Sequence, residues 1–162
     1  MNDEKYAFRI GLEARQMVTP GTETPENLSA FVAESLGLIP ARGKGLVAIK
    51  IIELLTLIAG KREFTVKTVK GRPLNIKNGA VKVEDIHKYL IDSGADIGIA
   101  QLYNTYITGL MRTGLIVKKK YSMYGLRGSN LSEALTEVRR DIDKEFERVV
   151  DHARKLDTII KK

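Results

Sequence analysis

The chain has 162 residues, 43% hydrophobic and 29% charged, enough for one core domain with extensions. It holds no cysteine, which removes disulfides, thiolate metal sites and thiol catalysis. The net charge of +7 is unevenly placed: residues 1–41 carry −3, residues 42–127 carry +10 and residues 128–162 carry 0, so an anionic partner is expected for the middle segment.

Asp3 to Met17 reads as a helix with Ala7, Ile10, Ala14 and Met17 on one face. Thr19-Pro20-Gly21-Thr22 breaks it. A second helix follows, with Thr24 as N-cap, Pro25 in the first turn, Glu26 favourable to the helix dipole, and Leu28, Phe31, Val32 and Leu36 as its apolar stripe. These acidic helices of 1–41 could pack on the core, on a second subunit or on another protein. Residues 41–45 form a short basic link.

Leu46 to Ala59 is almost wholly apolar and predicts a buried helix closed by Gly60. Lys50 and Glu53 interrupt it, and it is too short to cross a bilayer. Residues 61–82 hold seven Lys or Arg against one Glu. Within them Phe64 to Val69 alternates as a strand does, Gly71 to Pro73 turns, Leu74 to Lys77 can return, and Asn78-Gly79 is a strong further turn. Lys67, Lys70 and Arg72 mark this hairpin as a candidate basic arm. Val83 to Ser93 predicts another helix, with Val83, Ile86, Tyr89 and Leu90 inward, followed by a turn at Ser93-Gly94-Ala95-Asp96.

The stretch Ile97 to Arg127 carries the most information. Ile99, Leu102, Tyr103, Tyr106 and Leu110 recur at helical spacing and are expected in the core. Gln101, Asn104, Thr105, Thr108 and Arg112 form the opposite stripe, of types and lengths that reach base edges and phosphates. Thr113-Gly114 ends the helix. Leu115 to Tyr121 then reads as a strand that turns basic at Lys118, Lys119 and Lys120, with a turn and return strand over Tyr124 to Gly128. Tyr121 and Tyr124 could stack or donate to a phosphate, and packing within this hairpin is the expected reading.

Helix, turn, polar-faced helix and basic hairpin, over roughly Leu46 to Arg127, resemble the winged helix-turn-helix DNA-binding proteins. The resemblance implies a recognition helix at 101–112 and a wing at 118–127. Asn104 would then suit adenine and Arg112 guanine, each through paired hydrogen bonds. Gln101, Thr105 and Thr108 suit bases or phosphates equally, and Lys118, Lys119, Lys120 and Arg127 suit phosphates.

Asn130 or Ser129 caps a long final helix; Ser129 is three before Ser132 and Asn130 three before Glu133, and the second pairing is box-like. Its apolar ladder is Leu131, Leu135, Val138, Ile142, Phe146, Val149, Ala153, Leu156 and Ile160. Steps of three and four alternate except at 138–142–146, where any supercoil should straighten. Such a stripe predicts a two-stranded coiled coil and a homodimer through 131–160, or a helix folded back on its own domain.

The expected fold class is mainly α with a small β component: a winged helix-turn-helix at 42–128, an N-terminal helical extension at 1–41 and a long C-terminal dimerisation helix at 129–162. The expected function is double-stranded DNA binding in the cytoplasm, as a dimeric transcriptional regulator. Architectural, replication or segregation roles and a winged-helix protein–protein adaptor stay open beside it. RNA binding by the basic hairpin is a further alternative, disfavoured by the aromatic fraction of 6%. No glycine loop of the phosphate-binding type, metal-ligand spacing or nucleophile–base pair occurs, and His87 and His152 stand apart, so no catalysis, metal, cofactor or membrane is expected.

Overall fold

The structure, a computed structural model, describes residues 19–38 and 45–161. The helix expected at Asp3 to Met17 and the link before Gly45 lie outside the described residues. The architecture is mainly helical, with one antiparallel five-stranded sheet and a long C-terminal helix.

Helix α1 (Pro25–Ser35) starts as its sequence requires. The Thr24 hydroxyl accepts from the Asn27 N–H, and the Asn27 side chain accepts in return from the Thr24 N–H. Its buried contacts are Ala33 and the following Leu36, whereas Leu28, expected inward, is largely exposed. Helix α2 (Leu46–Ile58) buries seven residues, among them Ile51, Ile52, Leu54, Leu55 and Ile58. That wide apolar surface makes it the central element, with the sheet, α1 and the later helices gathered around it.

Strands β1 (Glu63–Lys67) and β2 (Pro73–Lys77) form the expected hairpin. A two-residue turn with positive φ at both Asn78 and Gly79 then leads into β3 (Ala80–Lys82). This strand was not expected: three residues are too few to display a period. Helix α3 (Val83–Asp92) follows at once, burying Ile86 and Leu90. Strands β4 (Ile116–Lys119) and β5 (Met123–Leu126) complete the sheet in the order β1-β2-β3-β5-β4. Tyr124 to Leu126 lies in the return strand, as expected, but the reversal precedes it at Lys120–Ser122. Gly125 is forced by packing, since a Cβ there would collide with the Gly79 carbonyl oxygen.

The inner sheet face presents Val66, Leu74, Ile76, Val81, Tyr124 and Leu126 to the core. The hairpin loop is fastened to the end of α3. Arg72 grips both oxygens of Asp92, whose side chain is 1% exposed, and the Thr68 hydroxyl donates to the same carboxylate. These partners hold Asp92 at a pKa of about 2 despite its burial, with the Arg72 hydrogen bond the largest cause.

Helix α6 (Leu131–Ile160) is capped by Asn130, whose side chain accepts from the Glu133 N–H at 2.8 Å. The Glu133 carboxylate accepts from the Ser129 N–H at 2.6 Å. Ala134 and Val138 are buried against the domain, with Leu131 and Leu135 beside them. Beyond Ile142 the helix leaves the domain: Phe146, Val149, Leu156 and Ile160 are 56–73% exposed. It does not fold back. The projecting part, residues 143–160, reaches about 27 Å at 1.5 Å per residue. No helix among the described residues is long and apolar enough to cross a membrane.

Candidate nucleic-acid interface

Residues 99–112 form one continuous helix in three parts: α4 (Ile99–Gln101), a π turn (Leu102–Ile107) and α5 (Thr108–Arg112). The π turn changes the expected faces. Leu102, Ile107 and Leu110 are buried, while Ile99 is 45% and Tyr103 39% exposed. Leu102 and Ile107 are five apart, the π repeat, so one inserted residue keeps both inward. The Tyr103 carbonyl accepts from both the N–H and the hydroxyl of Thr108, which fixes the wider turn.

The same insertion aligns the outer face. On a regular helix Asn104 and Arg112 stand about 80° apart; with one residue inserted they stand about 20° apart, two turns along one line. Both are exposed, as are Gln101 and Thr105. Thr108 is partly buried and committed to Tyr103, so it leaves the stripe expected of it.

Tyr103 joins this helix to the β4–β5 hairpin. Its ring meets that of Tyr124 edge-on at 6.3 Å. Burial, and then a hydrogen bond with Tyr103, push the Tyr124 hydroxyl up to about 12. Tyr124 therefore packs, as expected, and Tyr121 does not: it is 79% exposed at the hairpin tip. The tip is a tight turn in which Tyr121 and Ser122 both have positive φ and the Met123 N–H bonds to the Lys120 carbonyl. Between helix, hairpin and the start of α3 lies an open cleft of about 510 Å³ lined by Lys82, Glu84, Ile99, Tyr103, Lys118 and Tyr121, among others.

The basic residues divide into two groups. Lys67, Lys77, Lys82, Arg112, Lys118 and Lys120 are among those that make no side-chain hydrogen bond or ion pair. Several of the other cations are engaged. Arg127, expected on the wing, pairs with Asp141 and with Glu137 at 3.6 Å, clamping the end of β5 to α6; it also draws the Asp141 pKa down. Arg72 serves Asp92, and Lys70 stands 4.0 Å from the same carboxylate. Lys119 donates to the Asn78 carbonyl at 2.8 Å. The structure thus brings Gln101, Asn104, Thr105 and Arg112 together on one helix, with Lys118 and Lys120 on the neighbouring hairpin, and withdraws Thr108, Arg127 and Arg72 into internal contacts.

Lys82 and Tyr103 gain a place that sequence reasoning had not given them, and Tyr121 takes the exposed position that was the alternative to packing. For Lys82 the available signal was the basic run 61–82; for Tyr103 there was none, since its departure from the core depends on the π turn. Among the described residues no cluster of acidic or imidazole side chains is placed to hold a metal ion. Comparison with known proteins returns no matching family model, no matching curated protein and no matching solved structure.

Proposed function

We propose that this chain is a double-stranded DNA-binding protein of the winged helix-turn-helix type. It works as a homodimer in the cytoplasm, and transcriptional regulation is its best-fitting role. The observation that carries this reading is the outward line of Asn104 and Arg112 beside the unpaired Lys118 and Lys120. Cations without protein partners are free to replace the counterions of a phosphate backbone. The chain order α2, β3, α3, helix 99–112, then β4 and β5, with β3 paired to β5, supports the winged-helix assignment. In this arrangement Asn104 and Arg112 read base edges in the major groove, Gln101 and Thr105 steady the helix, and Lys118 and Lys120 hold the backbone.

The exposed ladder of α6 supports the dimer. From Ile142 its steps alternate four and three through Phe146, Val149, Ala153, Leu156 and Ile160, the seam of a two-stranded coiled coil. The flanking charges are balanced in sign, so a second copy is not repelled. Sedimentation equilibrium should give a dimer, and Phe146→Asp with Leu156→Asp should give a monomer; a wild-type monomer refutes this part.

The test of the main reading is anisotropy with labelled random-sequence duplex at about 50 and about 200 mM salt, for wild type and Lys118→Ala/Lys120→Ala. Binding should weaken steeply with salt, and the variant should lower the log–log slope by about 2. Site selection should then yield a motif, with Asn104→Ala and Arg112→Ala each relaxing one position by about 1–3 kcal/mol. Binding without any motif would favour the architectural or segregation role. Absence of duplex binding at low salt would sink the reading in favour of a protein adaptor.

A further inference from the structure

Over β1, β2 and the end of β3 the sheet has an exposed outer face; toward β5 the same face is buried at Ala80 and Met123. Strand alternation and register place Glu63, Thr65 and Lys67 of β1, Asn75 and Lys77 of β2, and Lys82 of β3 on it, all exposed. Val66, Leu74, Ile76 and Val81 alternate to the buried side. Three lysines thus stand against one glutamate, and none of Lys67, Lys77 and Lys82 has a partner in the protein. Thr65 and Asn75 between them offer uncharged hydrogen-bonding groups.

Strand β2 outruns β3, because the chain turns into α3 after Lys82. A trough of about 660 Å³ opens there, bounded by Glu63, Thr65, Asn75, Lys77, Lys82 and Tyr121, among others. Tyr121 and Lys82 also line the cleft on the helix side of the hairpin. The tip at Tyr121 is therefore a ridge between two basic depressions, and Lys82 belongs to both.

We propose that the outer sheet face is a second phosphate-backbone surface that takes the duplex flanking the segment read by helix 99–112. The proposal rests on the DNA-binding reading above. The contacting atoms are the ammonium groups of Lys67, Lys77 and Lys82, with Thr65, Asn75 and the Tyr121 hydroxyl as neutral donors. Such contacts carry no base information and lengthen the footprint beyond the hairpin. With one exposed aromatic and several lysines, the surface suits phosphates rather than stacked single-stranded bases.

The test uses the full chain and two duplexes sharing one selected site, of about one and about three helical turns. The variant is Lys67→Gln/Lys77→Gln, which spares Lys82 and everything on the helix side. Both lysines are exposed and unpartnered, and unchanged circular dichroism together with unchanged affinity for the short duplex certifies the fold. Wild type should bind the long duplex more tightly than the short one. The variant should lose most of that gain, and its salt slope on the long duplex should be shallower by about 2, at roughly 0.9 per phosphate released. A variant that matches wild type on both duplexes overturns the proposal and leaves the DNA-binding reading intact. A variant weakened equally on both lengths also overturns it, since the lysines would then serve the primary site. If wild type binds neither duplex, both readings fall together.

Discussion

Replacing Tyr121-Ser122 by Asn-Gly should make the protein more stable and, on the proposed DNA-binding function, a poorer DNA binder. Tyr121 sits at φ 60°, ψ 30° and Ser122 at φ 54°, in the left-handed region. For a residue with a Cβ this conformation costs roughly 1–2 kcal/mol, and less for Asn or Gly. The Tyr121 ring is 79% exposed, so its removal forfeits little packing. The net expected gain is about 2 kcal/mol. For a chain of this length that raises Tm by about 4–8 °C. Thermal and urea unfolding should be followed at one fixed protein concentration, because the midpoint of the proposed dimer would depend on concentration. Anisotropy on the selected duplex, run in parallel, should report weaker binding. The chain already uses Asn78-Gly79 for the same positive-φ pair between β2 and β3, so the cheaper solution is available to it. A left-handed Tyr-Ser pair at an exposed tip is the kind of strained site that favours a contact made there. An unchanged or lower midpoint would refute the strain calculation, and unchanged DNA affinity would remove the functional reason for the strain.

Three further outcomes follow from particular contacts. Asp92 has its folded pKa drawn down to about 2, below the ordinary value of 3.8, so its contribution to stability is present above about pH 4 and lost as the pH falls toward 2. Asp92→Asn should therefore be less stable than wild type at pH 7 and flatter between pH 4 and 2 in urea titrations; parallel curves would contradict the Arg72–Asp92 clamp. Gly125→Ala would drive its Cβ into the Gly79 carbonyl, and should cost several kcal/mol, on the scale of other overpacked sites, in denaturant titrations. A mild effect would mean that β3 and β5 can separate. Thr108→Val removes one of the two donors to the Tyr103 carbonyl, and should lower stability by about 0.5–1.5 kcal/mol while shifting the selected DNA site. Unchanged site selection would mean that the π turn holds without the hydroxyl.

Local chemistry was enough for much of this chain. The cap at Thr24, the apolar run of α2, the Asn78-Gly79 turn, the faces of α3 and the Asn130 start of α6 each depend on neighbours within a few residues, and each stands where the sequence places it. The charge distribution likewise depends only on composition along the chain. Tertiary structure decided what depends on partners distant in sequence. Strand β3 exists because β2 and β5 pair with it from either side; its three residues have no periodicity of their own. The π turn within 99–112 arises where Leu102 and Ile107 must both reach one core, and it moved Tyr103 out of that core and Arg112 into line with Asn104. Which cations remain free was equally a three-dimensional matter. Lys118 and Arg127 are alike in sequence as basic residues of one hairpin, yet Asp141 and Glu137 claim only Arg127, because α6 passes the end of β5 and not the outer part of β4.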